Sequence, residues 1–276
     1  MTYATLMVHL ELGESNAGLL RVAGDLAERF QAAVIGIATC QPIQMALSDG
    51  YVTGEVIGQD VEEIEREITA AEAEFRAALA PRADRLEWRS AITFTPLYDY
   101  LAHEARSADL IITKVDKNTS IFDSSRHVNM GDLVIQAGRP VLVIPTTANC
   151  LDLDSVVLGW KETPEARRAA RDALPMLREA GRVTIVEIAA EAELAAAKAR
   201  LEDVAAWLKR HGIVAECAAV AAVGDNAGQF DAIAQEQEAD LIVAGAYGHS
   251  RLRELVLGGV TRDLLLTAGR CVLVSH

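Results

Sequence analysis

Ala108-Asp109-Leu110-Ile111-Ile112 recurs in the sequence as Ala239-Asp240-Leu241-Ile242-Val243, and this repeated stretch decides the fold. The offset, 240 − 109, is 131 residues, and the same offset relates 132–143 to 263–274. At the start of each half, the apolar run 6–10 matches 156–160 at an offset of 150. Self-similarity on this scale indicates two copies of one structural unit. The first copy carries about 19 extra residues, the difference between the two offsets.

Apolar runs alternate with amphipathic helical stretches through both halves. Such alternation requires parallel strands joined by right-handed helical crossovers. We therefore predict an α/β protein of two tandem doubly wound five-stranded parallel-sheet domains of Rossmann-like type. The boundary falls in the short polar stretch around 145–151, which gives domains at 1–147 and 151–276. The predicted strands are 5–10, 34–39, 87–92, 109–113 and 140–144, then 155–160, 183–188, 213–221, 240–244 and 271–274.

The composition restricts the partners. The 276 residues are 51% hydrophobic and 24% charged, with a formal net charge of −14, which disfavours a nucleic-acid partner. No apolar run reaches the ~18 residues that a membrane span needs, and no secretory signal is visible. The four cysteines form no CxxC pair and lie in or beside apolar segments, so we expect buried thiols in a reducing cytoplasm.

A glycine-containing stretch follows the fourth strand of the second half. Gly245 and Gly248 allow backbone N–H groups to approach a ligand closely, and Gly258 and Gly259 offer a second approach. The carboxyl ends of parallel strands are the usual ligand crevice of an open α/β sheet, and a phosphate suits this geometry. The alternative is that the glycines only permit turns and helix packing.

The spacing Gly245-x2-Gly248-x9-Gly258 resembles the ATP-binding signature of the universal stress protein family. The stretch 239–276, with its Ala-Tyr-Gly-His-Ser-Arg core, resembles the C-terminal half of bacterial tandem universal stress proteins, and the likeness covers the whole chain as two domains. It implies binding of an adenine nucleotide (ATP, ADP or AMP), with Mg, by a cytoplasmic protein of the stress response. The residues implied are, for phosphates, Gly245, Gly248, His249, Gly258, Gly259, Val260 and Thr261, and, for adenosine, Gly159, Trp160, Lys161 and Ile188.

The sequence departs from the family signature in both halves. In the second half, Gly259 replaces a Ser or Thr, and Lys161 replaces the usual Asp, so Lys161 either weakens adenosine recognition or reaches a phosphate. In the first half, the glycine positions hold Lys114, Lys117, His127 and Val128, while Glu11 stands at the acidic position. We expect this half to have no phosphate cradle and to serve packing or partner binding. The alternative is that Lys114, Lys117 and Arg126 bind another anion.

Two further features have open interpretations. The long loop between Cys40 and Glu62, before a helix at about 61–80, either covers the crevice or is an insertion or partner contact. The family commonly dimerises through its last strand, here 271–274. In a tandem chain the two halves can satisfy that contact as an internal pseudo-dimer, and a homodimer is the alternative.

The sequence gives no catalytic assignment. Adjacent His249 and Ser250 do not face each other as a nucleophile and base must, and no base or Mg-binding acid is placed near the glycines. We therefore expect no enzyme, or at most weak ATP hydrolysis. The rival to nucleotide binding is a nucleotide-free, stress-related interaction scaffold. An adenylating enzyme of the related HUP-type folds would need a HIGH-like or SGGxDS-like loop after the first strand, and neither is present.

Overall fold

The computed structural model describes residues 2–42, 54–115, 126–246 and 269–276. The chain separates into two compact units. One comprises Tyr3–Arg139, and the other comprises Pro140–His276 together with the first two residues.

In the unit Tyr3–Arg139, the strands alternate with helices as the apolar pattern requires. All of its strand pairs are parallel, in the order β3-β2-β1-β4. The elements are β1 (Thr5–His9), α1 (Ala17–Phe30), β2 (Ala33–Cys40), α2 (Gly54–Leu79), β3 (Leu86–Ile92), α3 (Leu97–Glu104), β4 (Leu110–Val115) and α4 (Met130–Ala137).

The unit Pro140–His276 has six described strands in the order β5-β10-β9-β6-β7-β8. Its pairs are parallel, except that β5 runs antiparallel to β10. The elements are β5 (Val141–Pro145), β6 (Ser155–Gly159), α5 (Pro164–Asp172), α6 (Leu174–Glu179), β7 (Arg182–Ala189), α7 (Leu194–Arg210), β8 (Ala215–Ala221), α8 (Asn226–Glu236), β9 (Leu241–Gly245) and β10 (Cys271–Ser275).

The predicted α/β fold class is confirmed, and every predicted strand lies within two residues of an observed one. The strands other than β3 and β8 consist mainly of buried aliphatic side chains, as expected for parallel strands that have helices on both faces, whereas β3 and β8 are half-exposed. The predicted helix 165–180 is two helices in the structure. Pro175 has no N–H to continue the backbone ladder, so α5 ends before it and α6 begins with it in its first turn.

Strand β5 belongs to the second unit rather than to the repeat that encodes it. Its antiparallel ladder to β10 pairs Val143 with Val272 and Leu142 with Leu273. The other edge of β10 pairs with β9. The last strand of the chain therefore has a neighbour on each side. The domain boundary at 147–151 stays a prediction.

Two surface properties bear on the expectations from composition. In the described part of the chain, no helix is long and apolar enough to cross a membrane. All four cysteines carry reduced thiols, and Cys40 and Cys271 are buried as expected. Cys150 and Cys217 are exposed, so the expectation of four buried thiols was wrong for these two.

Candidate functional site

The candidate site of the second half lies at the carboxyl ends of its central strands. Gly159 at the end of β6 is level with Ala244 in β9, and Gly245 is level with Ser275 in β10. Trp160 and Lys161 follow β6 directly, so they lie at the same end of the sheet. The structure thus brings the described parts of the predicted site to one edge, where open parallel sheets bind ligands.

Gly245 is in direct contact with the start of helix α5. A Cβ atom built on Gly245 would come within 2.5 Å of the backbone nitrogen of Ala166 and 2.6 Å of the carbonyl carbon of Glu165. Thr163 caps this helix by accepting from Ala166 N at 3.3 Å, and Pro164 lies in its first turn. Because the obstacle is backbone, Gly245 is required here by helix packing.

Gly159 is also needed for packing. A Cβ at this position would meet Cζ of Phe230 at 2.9 Å and Cε2 at 3.1 Å. Phe230 is buried on α8 and covers the end of β6. For Gly159 and Gly245, the close neighbours in the structure are therefore protein atoms.

Trp160 and Lys161 differ in how the protein holds them. The backbone N–H of Trp160 donates to Val186 O at 2.8 Å, and its Nε1 is buried without an acceptor among the described residues. Lys161 is exposed, and no described carboxylate lies within ion-pair distance of its ammonium. Ile188, near the end of β7, is partly exposed. This edge therefore offers one ammonium group and one unpaired indole donor.

The remaining predicted site residues lie outside the described part of the chain. These are Gly248, His249, Gly258, Gly259, Val260 and Thr261. Their assignment to phosphate binding stays a prediction.

In the first half, the position equivalent to Gly245 carries a buried lysine. The Lys114 ammonium, at the end of β4, lies 2.9 Å from Glu11 Oε2 and 2.7 Å from Glu14 Oε2. It also donates to Ser15 O at 3.2 Å. Glu11 and Lys114 are both more than 90% buried. The side chain of Lys114 thus fills the place that a phosphate cradle would need and pairs with the acidic residue beside it.

The ion pairs set the protonation of this buried cluster. Burial raises the pKa of Glu11 against the opposing effect of Lys114, whereas the hydrogen bond from Lys114 lowers the pKa of Glu14. Burial disfavours the ammonium of Lys114, but its bonds to Glu14 and Glu11 outweigh this effect and raise its pKa. The charged lysine between two carboxylates is the stable arrangement at neutral pH.

His9, at the end of β1, belongs to the same buried cluster. Its Nδ1 lies 3.1 Å from Thr113 Oγ1, and burial, followed by the charges of Lys114 and His127, lowers its pKa to about 4. The sequence analysis missed His9 and Glu14, because in this region it considered only Glu11 and the positions that replace the glycines. The spacing Glu11-x2-Glu14 was the available signal, since a second acid close to Glu11 can share one lysine.

The alternative anion site of the first half has lost two of its three cations to internal partners. Lys114 is paired as described, and Arg126 donates to Glu67 Oε2 at 2.6 Å. The third, Lys117, lies outside the described residues. The expectation that this half lacks a phosphate cradle stays a prediction; the structure shows that Lys114 and Arg126 both pair with carboxylates of the same unit.

The two halves differ because their first helices begin at different points. Helix α5 begins at Pro164, which the offset of 150 places level with Glu14, whereas α1 begins three residues later, at Ala17. The longer β1–α1 connection is held by Asn16, whose Oδ1 accepts from Glu11 N and whose Nδ2 donates to Glu11 O. This connection leaves room for the side chain of Lys114, and the early start of α5 leaves none at Gly245.

Comparison with known proteins identifies a matching family model and several similar structures. Residues 162–276 match the model of the universal stress protein family. A search of curated proteins found no match. A universal stress protein from Archaeoglobus fulgidus DSM 4304 has a similar structure, with a TM-score of 0.74 and 16% identity over 98% of this chain and 95% of that one.

Two other solved structures are similar to this chain. A protein of unknown function from Pseudomonas aeruginosa PAO1 aligns with a TM-score of 0.65 and 15% identity over 99% of this chain and 92% of that one. A universal stress protein in complex with cAMP aligns with a TM-score of 0.38 and 19% identity over 53% of this chain and all of that one. The first two similarities, at these identities, establish the fold.

Proposed function

We propose that the chain is a universal stress protein, since residues 162–276 match the model of that family, and that its second half binds an adenine nucleotide in a stress-response role. The supporting observation is the contrast between the two halves. In the first half the cation at the strand ends is neutralised by Glu11 and Glu14. In the second half Lys161 is exposed, has no such partner in the described residues, and follows β6, whose last residue Gly159 is level with Ala244, the residue before Gly245.

Lys161 has a specific task in this proposal. An exposed ammonium near backbone N–H groups suits a phosphate oxygen, and it cannot accept a hydrogen bond as an aspartate would. The phosphates would lie over the glycine stretch, with Thr261 as a hydroxyl donor, and the adenosine against Trp160 and Ile188. In this proposal magnesium accompanies the nucleotide as the counter-ion of its phosphates.

The test is to identify what the protein carries and what it binds. Freshly purified chain is denatured, and released nucleotides are identified by mass spectrometry. Calorimetric titration with MgATP, ADP, AMP and cAMP follows at up to about 1 mM, where a Kd of that order corresponds to about −4 kcal/mol. We expect an adenine nucleotide near one per chain.

Two variants and one control locate the site. Gly248→Lys should abolish binding, and Lys161→Glu should weaken it at least about tenfold, because a hydrogen bond to a charged group contributes about 1.5–3 kcal/mol. The control Lys198→Glu makes the same charge change on the exposed face of α7 and should bind as the wild type does. Equal weakening by both lysine variants would indicate only a general effect of net charge.

A nucleotide-free interaction scaffold is the second candidate function, and the packing of two predicted site residues favours it. Gly159 contacts Phe230 and Gly245 contacts α5, so both glycines have structural reasons to be present. If no nucleotide is released and none binds near 1 mM, nucleotide binding is wrong and the interaction scaffold takes its place.

A further inference from the structure

The segment that joins β5 to β6 must cross the start of two other strands. Strand β5 ends at Pro145, β6 begins at Ser155, and β10 and β9 lie between them in the sheet. Because β5 is antiparallel to the other three, its end lies beside their starts. Neighbouring strands are about 4.8 Å apart, so the crossing spans about 14 Å. Cys150 is midway between Pro145 and Ser155, which places it at the starts of β10 and β9.

The crossing segment is fixed at two points around Cys150. Before it, Ala148 N donates to Pro145 O at 2.9 Å and closes a turn. After it, Leu151 and Leu153 are buried, so the chain is anchored in the core. The Cys150 side chain itself is exposed, and its thiol donates to Asp152 Oδ2 at 3.2 Å. Cys150 is therefore held in place and accessible to small molecules.

Cys271 is the first residue of β10 and lies beneath this crossing. The pairing of Val272 with Val143 places Cys271 beside the last residues of β5. Its side chain is buried. Burial, with smaller contributions from the nearby Cys150 and Asp240, raises the pKa of the Cys271 thiol to about 12. The influence of Cys150 agrees with the topology, since both place the two sulfur atoms in one neighbourhood.

We propose that Cys150 and Cys271 form a redox site, in which a peroxide converts the two thiols into a disulfide that ties the β5–β6 connection to the last strand. Cys150 reacts first because it is exposed. Its thiolate sulfur attacks one peroxide oxygen, the O–O bond breaks, and Cys150 becomes a sulfenic acid as water leaves. The Cys271 sulfur then attacks the Cys150 sulfur, the S–O bond breaks, and a second water leaves with the Cys271 proton. Two thiols and one hydrogen peroxide give one disulfide and two waters.

The surroundings of the two thiols predict a slow reaction that accelerates with pH. The thiolate is the reactive form, and Cys271 holds its proton up to a pKa of about 12. The Cys150 thiol donates a hydrogen bond to Asp152 Oδ2, so the hydrogen of the thiol points at a carboxylate. The rate of disulfide formation should therefore rise about tenfold per pH unit wherever loss of the Cys271 proton limits it.

The experiment treats the full chain with hydrogen peroxide at pH 7 and pH 9 and then unfolds it in alkylating reagent. Non-reducing peptide mapping by mass spectrometry identifies the bonds formed. We expect a Cys150–Cys271 peptide pair two hydrogens lighter than the reduced peptides, formed faster at pH 9. The control Cys217→Ser removes the other exposed thiol and should leave this bond unchanged.

Cys150→Ser changes an exposed side chain and should preserve the fold, and Cys271 should then stay reduced and alkylatable in the same treatment. The proposal is overturned if Cys150 instead accumulates as sulfinic or sulfonic acid while Cys271 stays reduced. It is overturned equally if the only disulfides join two chains through Cys150 or Cys217.

Discussion

Replacing Lys114 by methionine removes the one cation among the described residues that forms an ion pair with Glu11, and we expect a large loss of stability in the unit Tyr3–Arg139. Both side chains are more than 90% buried, so the variant leaves the Glu11 carboxylate without its counter-charge in a poorly solvated place. Breaking a buried ion pair from one side costs about 3–5 kcal/mol. The second partner, Glu14, is half exposed and can return to water, so we expect a loss near the lower end, about 3 kcal/mol at pH 7.5.

The loss should shrink as the pH falls. Without the ammonium, burial raises the pKa of Glu11 further, so the folded variant binds a proton more tightly than the unfolded chain does. A group with a raised folded pKa stabilises the fold as the pH drops through that value. In the wild type, Glu14 has a lowered pKa and loses its contribution over the same descent. Both effects bring variant and wild type closer at pH 5 than at pH 7.5.

The assay is urea unfolding followed by the fluorescence of Trp88, which packs on Phe75 inside this unit. Trp160→Phe and Trp207→Phe are introduced in every protein compared, so that Trp88 alone reports. Arg85→Met, which removes an exposed cation from the same unit, should change the free energy of unfolding by less than about 0.5 kcal/mol.

A double variant separates charge from shape. Adding Glu11→Gln to Lys114→Met removes the uncompensated carboxylate and should restore most of the lost free energy. The reasoning is wrong if the single variant loses less than 1 kcal/mol, or if the double variant is as unstable as the single one.

Two further outcomes follow from close packing and from burial. Gly245→Ala should lower the free energy of unfolding of its unit by about 1–3 kcal/mol or more, because the new Cβ would meet the backbone nitrogen of Ala166 at 2.5 Å. Gly269→Ala is the matched control, because a Cβ at that position has nothing within 4 Å. Equal effects of the two variants in calorimetry would contradict the packing role of Gly245. His9 should titrate near pH 4 by NMR, and since its folded pKa is lowered, it should withdraw about 3 kcal/mol of stability as the pH falls from 6.5 to 4. A midpoint above pH 6 would show that His9 is not desolvated.

The sequence was most informative where a local pattern of apolar and polar residues is compatible with one type of secondary structure. Apolar runs alternating with helices favour parallel strands with crossovers, so the positions of the ten strands in the described part of the chain could be predicted. The antiparallel pairing of β5 with β10 was harder to foresee, because strand pairing across 130 residues leaves no mark in either strand. Pro175 itself indicated a break in the predicted helix 165–180, but the apolar stripe continues past it and favoured one helix.

The site was predicted less completely, because function at this edge depends on neighbours distant in sequence. The glycine spacing predicted a backbone that tolerates close approach, and Gly245 and Gly159 confirm close approach by protein atoms. Whether a ligand also approaches these glycines depends on neighbouring atoms that the glycine spacing does not specify. In the first half, the sequence showed that Lys114 replaces a glycine, but the ion pair of Lys114 with Glu14 depends on the length of the β1–α1 connection, which the replacement alone does not reveal.

The pairing of β5 with β10 also has a consequence for the order in which the chain folds. During synthesis, β5 emerges about 130 residues before its neighbour β10, which occupies the last residues of the chain. Contacts this distant in sequence close large loops and form late. The unit Pro140–His276 therefore cannot complete its sheet until β10 has left the ribosome. Until then, β5 presents an apolar edge that a chaperone or a neighbouring nascent chain can capture.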